Sequence, residues 1–179
     1  MERFEQVLPE GERIDPIELK KAYDMAQRIL SSPIEPDEFK DLYDSDNIER
    51  DKAYVAERKA GFAKSDALVS EVEFESMRIG KIFEAIVFQH AELSNWFGEN
   101  AITIQASEFD DIANGVDTIV EFTDDAMPHH LALAIDVTTS ANIRDKFNKI
   151  KEKIDSGRLT KIRYFVSENL GLKREKTNV

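Results

Sequence analysis

The stretch from residue 115 to residue 138, GVDTIVEFTDDAMPHHLALAIDVT, constrains the fold more than any other part of the chain. It contains two strand-like runs, since 118–122 is rich in β-forming residues and 131–135 is continuously apolar. Asp117 opens the first run and Asp136 closes the second. An antiparallel pair places the start of its first strand beside the end of its second, so the two aspartates are predicted to meet at one end of a sheet.

Two carboxylates that meet in this way repel each other unless a proton or a cation lies between them. Mg²⁺ and Mn²⁺ prefer hard oxygen ligands, so the pair predicts a divalent-metal site. The chain has no cysteine, which excludes disulfides and thiolate metal sites. His129–His130 has the composition of a metal-binding pair, but neighbouring residues on a strand point apart, and a zinc site is not predicted.

Charge is distributed unevenly along the 179 residues. Residues 67–140 carry fourteen acidic and two basic side chains, whereas 141–179 carry eleven basic and five acidic ones. This indicates an acidic, metal-binding region beside a basic surface that can meet phosphates, although an unevenly charged solvated surface is the plainer interpretation. No run approaches the roughly 18 apolar residues of a membrane span, and the acidic N-terminus lacks the apolar core of a signal peptide. A cytoplasmic protein without membrane association is therefore expected.

The order of elements predicts a mixed α/β domain that follows a helical extension. Residues 1–65 form the helical N-terminal extension, which offers no recognisable chemistry and is a candidate surface for a homodimer. An α/β core occupies 66–167, and a polar tail that is expected to be irregular occupies 168–179. Within the core, the patterns predict a helix over 66–97, a strand over 101–106, a loop over 107–114, the two strands above, a helix ending near Asp155, and a strand over 159–166. The helix before Asp155 has a stripe that is predicted to be buried, at Ile143, Phe147, Ile150 and Ile154.

Glu84 sits deep in the apolar pattern of the first of these core helices, which sets it apart from a solvated glutamate. With Glu84 on a helix, Asp117 opening the second strand and Asp136 ending the third, the chain resembles the PD-(D/E)xK nuclease superfamily over about 66–166. The resemblance implies an αβββαβ, restriction-endonuclease-like core that uses Mg²⁺ or Mn²⁺ to hydrolyse nucleic acid, DNA more than RNA. It also implies that Glu84, Asp117, Asp136 and the backbone carbonyl of Val137 ligate the metal.

The family pattern ends in a lysine, and this chain has Thr138 at that position. Such a lysine orients the attacking water and steadies the developing charge. Superfamily members can supply it from the following helix, so Lys146 is the expected replacement and Lys149 the second choice. The alternative is a catalytically inactive nuclease-like fold that serves as a binding or assembly module.

Several other residues are open to two interpretations. Asp110 and Asp111 either rim the metal site or form an ordinary polar cap before the Asn-Gly turn. His90 is expected at the surface or the edge of the core. Tyr164 and Phe165 are expected to pack rather than to stack on bases. A third class of function, an acidic helical interaction protein, predicts that Asp117 and Asp136 lie far apart or are fully solvated.

Overall fold

The computed structural model describes residues 14–66, 71–122, 132–138, 143–157, 160–168 and 171–177. Helices α1 (Pro16–Ile29) and α2 (Ser45–Asp66) make up most of the N-terminal third, with a short 3₁₀ helix (Pro36–Phe39) between them. The Asp15 side chain caps α1 by accepting a hydrogen bond from the Ile17 N–H at 2.8 Å, as the Asp-Pro pair predicted. No helix in the described ranges has the length and apolarity needed to span a membrane.

Helix α3 (Glu71–Leu93) connects the N-terminal third to the sheet. It packs against α1 through a cluster in which Ala26, Leu30 and Ala85 are buried. Its other neighbour is β1 (Ala101–Gln105), the first strand of the sheet. The position of α3 therefore fixes where Glu84 lies relative to the sheet.

Three antiparallel strands form the sheet, in the order β1, β2 (Thr118–Phe122) and β3 (Ala132–Ile135). Residue Thr118 lies opposite Gln105 on one side and opposite Ile135 on the other. The antiparallel pairing predicted from the two strand-like runs is thus confirmed. The core at this sheet includes the buried side chains of Val116, Ile119 and Ile104. Burial of such apolar side chains is the main favourable contribution to folding.

The C-terminal part contains α4 (Ile143–Asp155) and two antiparallel strands, β4 (Lys161–Ser167) and β5 (Leu172–Thr177). Within the described residues, the backbone of β4 pairs with β5 and not with the three-stranded sheet. It joins the sheet through side chains instead, since Ile162 and Phe165 pack in the same core cluster as Ile119. The fold is a mixture of helices and strands, as predicted.

Two expectations about the C-terminal part are wrong. The tail is not irregular throughout, because β5 occupies half of it and pairs with β4 as an antiparallel strand. The stripe on α4 is not buried either, since Phe147 is 65% exposed and Ile150 and Ile154 are also exposed. Helical spacing makes α4 strongly amphipathic but does not decide whether another element covers its apolar face.

Candidate functional site

Asp117 and Asp136 lie side by side where β2 begins and β3 ends. The Asp117 N–H donates to the Ile135 carbonyl at 3.0 Å, and the Val137 N–H donates to Asp117 Oδ2 at 2.6 Å. Gly115 has φ +69°, and a β-carbon built there would lie 3.8 Å from Asp136 Oδ2. The end of the sheet therefore holds the Asp117 carboxylate by a backbone hydrogen bond, and the Asp136 carboxylate lies near Gly115. This contradicts the geometry expected for a protein in which the two aspartates are incidental.

Glu84 reaches the same region from α3. Its side chain is only 14% exposed, and the Lys81 ammonium one helical turn earlier donates to both of its carboxylate oxygens, at 2.8 and 2.9 Å. Burial raises the pKa of Glu84, Lys81 opposes that rise, and the nearby charge of Asp111 adds to it. Glu84 is thus an inward-facing acid with one built-in counter-charge.

Asp111 is a fourth acid in the cluster and comes from a π-helical turn, Asp110–Asn114, in the segment predicted as a loop. Gly115 ends this turn in the left-handed conformation, and its N–H donates to the Asp111 carbonyl at 3.0 Å. The Asp111 carboxylate lies close enough to the Asp117 carboxylate for each to affect the pKa of the other. Burial raises the pKa of Asp111, while Lys81 lowers it and Asp136 raises it further.

This arrangement favours protonation of one of the acids. Ionised carboxylates that are partly buried and close together repel each other, so the folded chain favours a proton on one of them. Burial raises the pKa of Asp117 to about 7, the Val137 N–H lowers it, and Asp111, Glu84 and Asp136 raise it. Near neutral pH the cluster therefore holds a proton where a cation would serve equally well.

Asp110, the neighbour of Asp111, has a structural role. Its carboxylate is fully buried and accepts hydrogen bonds from Ser107 Oγ (2.8 Å), Asn114 Nδ2 (2.7 Å) and the backbone N–H groups of Arg163 (2.8 Å) and Tyr164 (3.0 Å). These bonds tie the π-helical turn to β4 and use the acceptor capacity of the carboxylate. Asp110 therefore anchors the turn, whereas Asp111 belongs to the site. The sequence alone did not distinguish these two roles.

A cavity of about 510 Å³ opens beside the acids. Its lining includes Glu84, Asp111 and Asp117, together with Lys59 and Lys81. The opposite wall is formed by the end of α1 and the connection that follows it, within residues 27–35. The site is therefore a concave space between the carboxylates and the N-terminal third of the chain.

The remaining predicted residues fall into four groups. Val137 is at the site through its N–H. Tyr164 and Phe165 are fully buried, in agreement with a packing role. His90 is exposed, with its Nδ1 3.2 Å from Ser94 Oγ. Lys146 and Lys149 lie on α4, but their side chains, like His129–His130 as a whole, are outside the described part of the chain.

Lys81 is the site residue that sequence reasoning missed. The signal was present in the Lys81-x-x-Glu84 spacing, because side chains three residues apart on a helix lie on the same face. Lysine–glutamate pairs at this spacing are common on solvated surfaces, so the spacing distinguishes Lys81 only once Glu84 is known to face inward.

The chemistry of the donor set suits a hard divalent cation, because every candidate ligand is an oxygen. In the described residues no three His, Cys, Asp or Glu side chains are arranged as a ready metal site. Among these oxygen donors, the Glu84 carboxylate is bound by Lys81.

Comparison of the chain with protein-family models, with curated proteins and with solved structures finds no match. The site is therefore interpreted from its own geometry and chemistry.

Proposed function

We propose that this chain is a metal-dependent nuclease, a phosphodiesterase that hydrolyses nucleic acid, with DNA as the favoured substrate. The observation that carries the proposal is the convergence of Glu84, Asp111, Asp117 and Asp136, whose mutual repulsion contributes to a pKa of about 7 at Asp117. Such a cluster is unfavourable when ionised and becomes favourable when a divalent cation is present. Strongly shifted acids in a cavity are also typical of active sites.

Asp117, Asp136, Glu84 and the carbonyl of Val137 would hold one or two Mg²⁺ or Mn²⁺ ions. When bound, the cation lowers the pKa of a water molecule and neutralises the scissile phosphate. The Val137 N–H orients the Asp117 carboxylate, and Asp111 lies beside it as a further acceptor or proton carrier. Lys146 on α4 is proposed to position the attacking water in place of the lysine that Thr138 does not provide.

The order of elements supports a nuclease-like core as the finer description of the fold. Helix α3 is followed by β1, β2, β3, α4 and β4, which is the αβββαβ order of the PD-(D/E)xK superfamily. The three acids occupy the helix, the start of the second strand and the end of the third. The relation of β4 to the sheet, through side chains and without backbone pairing, is the point at which the resemblance is weakest.

An inactive nuclease-like module is the second candidate. Two observations favour it. Thr138 is neutral where the family has a lysine. Glu84 is already paired with Lys81 through two hydrogen bonds, whereas a metal ligand must be available to the metal. This candidate keeps the fold, the cavity and the basic C-terminal region as a surface for binding or assembly.

Metal binding followed by cleavage separates the two candidates. We would measure Mg²⁺ and Mn²⁺ binding by calorimetry on the wild type and on Asp117→Asn, and then test the same samples on plasmid DNA and on RNA. Asp24→Asn is the matched control, because Asp24 is an exposed aspartate paired with Lys20 on α1, outside the cavity lining.

The nuclease predicts binding that is lost in Asp117→Asn but kept in Asp24→Asn, together with metal-dependent nicking by the wild type. Binding without cleavage of any nucleic acid favours the inactive module. Absence of binding at millimolar metal contradicts the nuclease and leaves the fold as a scaffold.

A further inference from the structure

The cavity is poor in positive charge relative to what a phosphate would require. Its described lining includes two cations, Lys59 and Lys81. Lys59 is bound to Glu108 at its side of the cavity, and Lys81 lies next to the acid cluster. A phosphodiester that approaches the acids therefore meets Lys81 as the nearest lysine described at the cluster.

Lys81 binds both oxygens of the Glu84 carboxylate, as a metal ion would. Its ammonium contacts both carboxylate oxygens at nearly equal distances, 2.8 and 2.9 Å. The same charge also lowers the pKa of Asp111. A single lysine thus offsets part of the repulsion among the acids of the site.

We propose that Lys81 is an exchangeable counter-cation, which holds Glu84 in the absence of metal and contacts the scissile phosphate once metal has taken its place. This inference rests on the proposed nuclease function and adds a specific residue to it. Lysine is suited to such a role because its ammonium is a compact point charge on a flexible stem with three donors. The side chain is about one-third exposed, so it has room to turn from Glu84 into the cavity.

The proposal predicts that metal binding and catalysis respond differently to the loss of Lys81. Lys81→Met removes a competitor for Glu84, so Mn²⁺ measured alone should bind as tightly as in the wild type or up to about fivefold more tightly. The same change removes a cation from the phosphate, so kcat for cleavage should fall by about 100-fold. A residue that only supports the local structure would lower metal affinity and cleavage together.

Two further variants sharpen the test. Lys81→Arg keeps the charge and should recover part of the lost kcat, although the planar guanidinium is not an equivalent donor. Lys21→Met is the matched control, since Lys21 and Glu18 form a pair of the same helical spacing on the exposed face of α1. This control should leave both metal affinity and kcat unchanged.

The measurement is Mn²⁺ calorimetry without nucleic acid, together with cleavage kinetics on the same preparations. Wild-type cleavage that persists in Lys81→Met would overturn the role of Lys81 while leaving the nuclease intact. Metal affinity that collapses in Lys81→Met would also overturn it, because it would show Lys81 to be a support rather than a competitor. A wild type that neither binds metal nor cleaves would remove the nuclease proposal and this inference together.

Discussion

The raised pKa of Asp117 predicts an unusual dependence of stability on pH. In the folded chain this pKa is about 7, against 3.8 for an unperturbed aspartate. The folded state therefore holds a proton that the unfolded state releases as pH rises. From this group alone, the free energy of unfolding is highest below pH 4, falls between pH 4 and pH 7, and levels off above pH 7.

The size of the effect follows from the two pKa values. Between pH 5 and pH 8 the difference in proton binding corresponds to roughly 2 to 3 kcal/mol of unfolding free energy. This is an upper limit, because Asp111 lies beside Asp117 and its pKa is also raised by burial. Asp117→Asn keeps the shape and the acceptor for the Val137 N–H but does not titrate. Its stability relative to the wild type should therefore rise by roughly 2 to 3 kcal/mol between pH 5 and pH 8.

Urea unfolding followed by circular dichroism at pH 5 and pH 8, in the presence of EDTA, measures this change. Comparing the two proteins at each pH cancels the titration of groups that they have in common. Asp24→Asn serves again as the control and should follow the wild type at both pH values, since the Asp24 side chain is 42% exposed and paired with Lys20 outside the cavity. A difference between wild type and Asp117→Asn that is the same at pH 5 and pH 8 would refute the reasoning, because it would mean that Asp117 is ionised throughout.

Three further predictions follow from the fold. Mg²⁺ at ten times its Kd should stabilise the wild type at pH 8 by about 1.4 kcal/mol in urea unfolding, and Asp117→Asn should not respond. Asp110→Ala should cost at least about 3 kcal/mol with or without metal, because it leaves buried donors unpaired; a smaller loss would contradict its role as an anchor. Phe147→Ala should change stability by less than about 0.5 kcal/mol, whereas Phe165→Ala should cost about 3 to 5 kcal/mol, and equal losses would show that the α4 stripe is covered after all.

The sequence predicted the structure best where hydrophobic periodicity located the strands and the rule for antiparallel strand pairing placed their ends. Alternating and continuous apolar runs located β2 and β3, and the rule for antiparallel pairs then brought Asp117 beside Asp136. Local patterns were less informative where a tertiary choice decides. The same helical spacing that describes a buried stripe describes the exposed one on α4, and the polar residues of 172–177 form a strand because β4 offers an edge.

The site was predictable in its acids but not in its cation. Asp117, Asp136 and Glu84 stand out because each is an acid in an apolar or strand-terminal setting. Asp110 and Asp111 could not be separated, because a π-helical turn directs one toward β4 and the other toward Asp117. No short-range pattern reports that distinction, since it depends on where β4 lies more than 50 residues further along the chain.

The N-terminal third bears directly on what the site can accept, because it supplies a wall of the cavity. The Gln105 amide on β1 donates to the Leu30 carbonyl at 2.9 Å, which fixes the end of α1 against the sheet. The Tyr43 hydroxyl donates to the Arg163 carbonyl at 2.9 Å, and the Tyr164 hydroxyl to Asp51 at 2.7 Å. The first contact holds the wall to β1, and the other two hold the N-terminal third to β4. Residues in 27–35 line the same cavity as Glu84, Asp111 and Asp117, so under the proposed nuclease function substitutions in that wall should alter KM and substrate choice more than metal affinity.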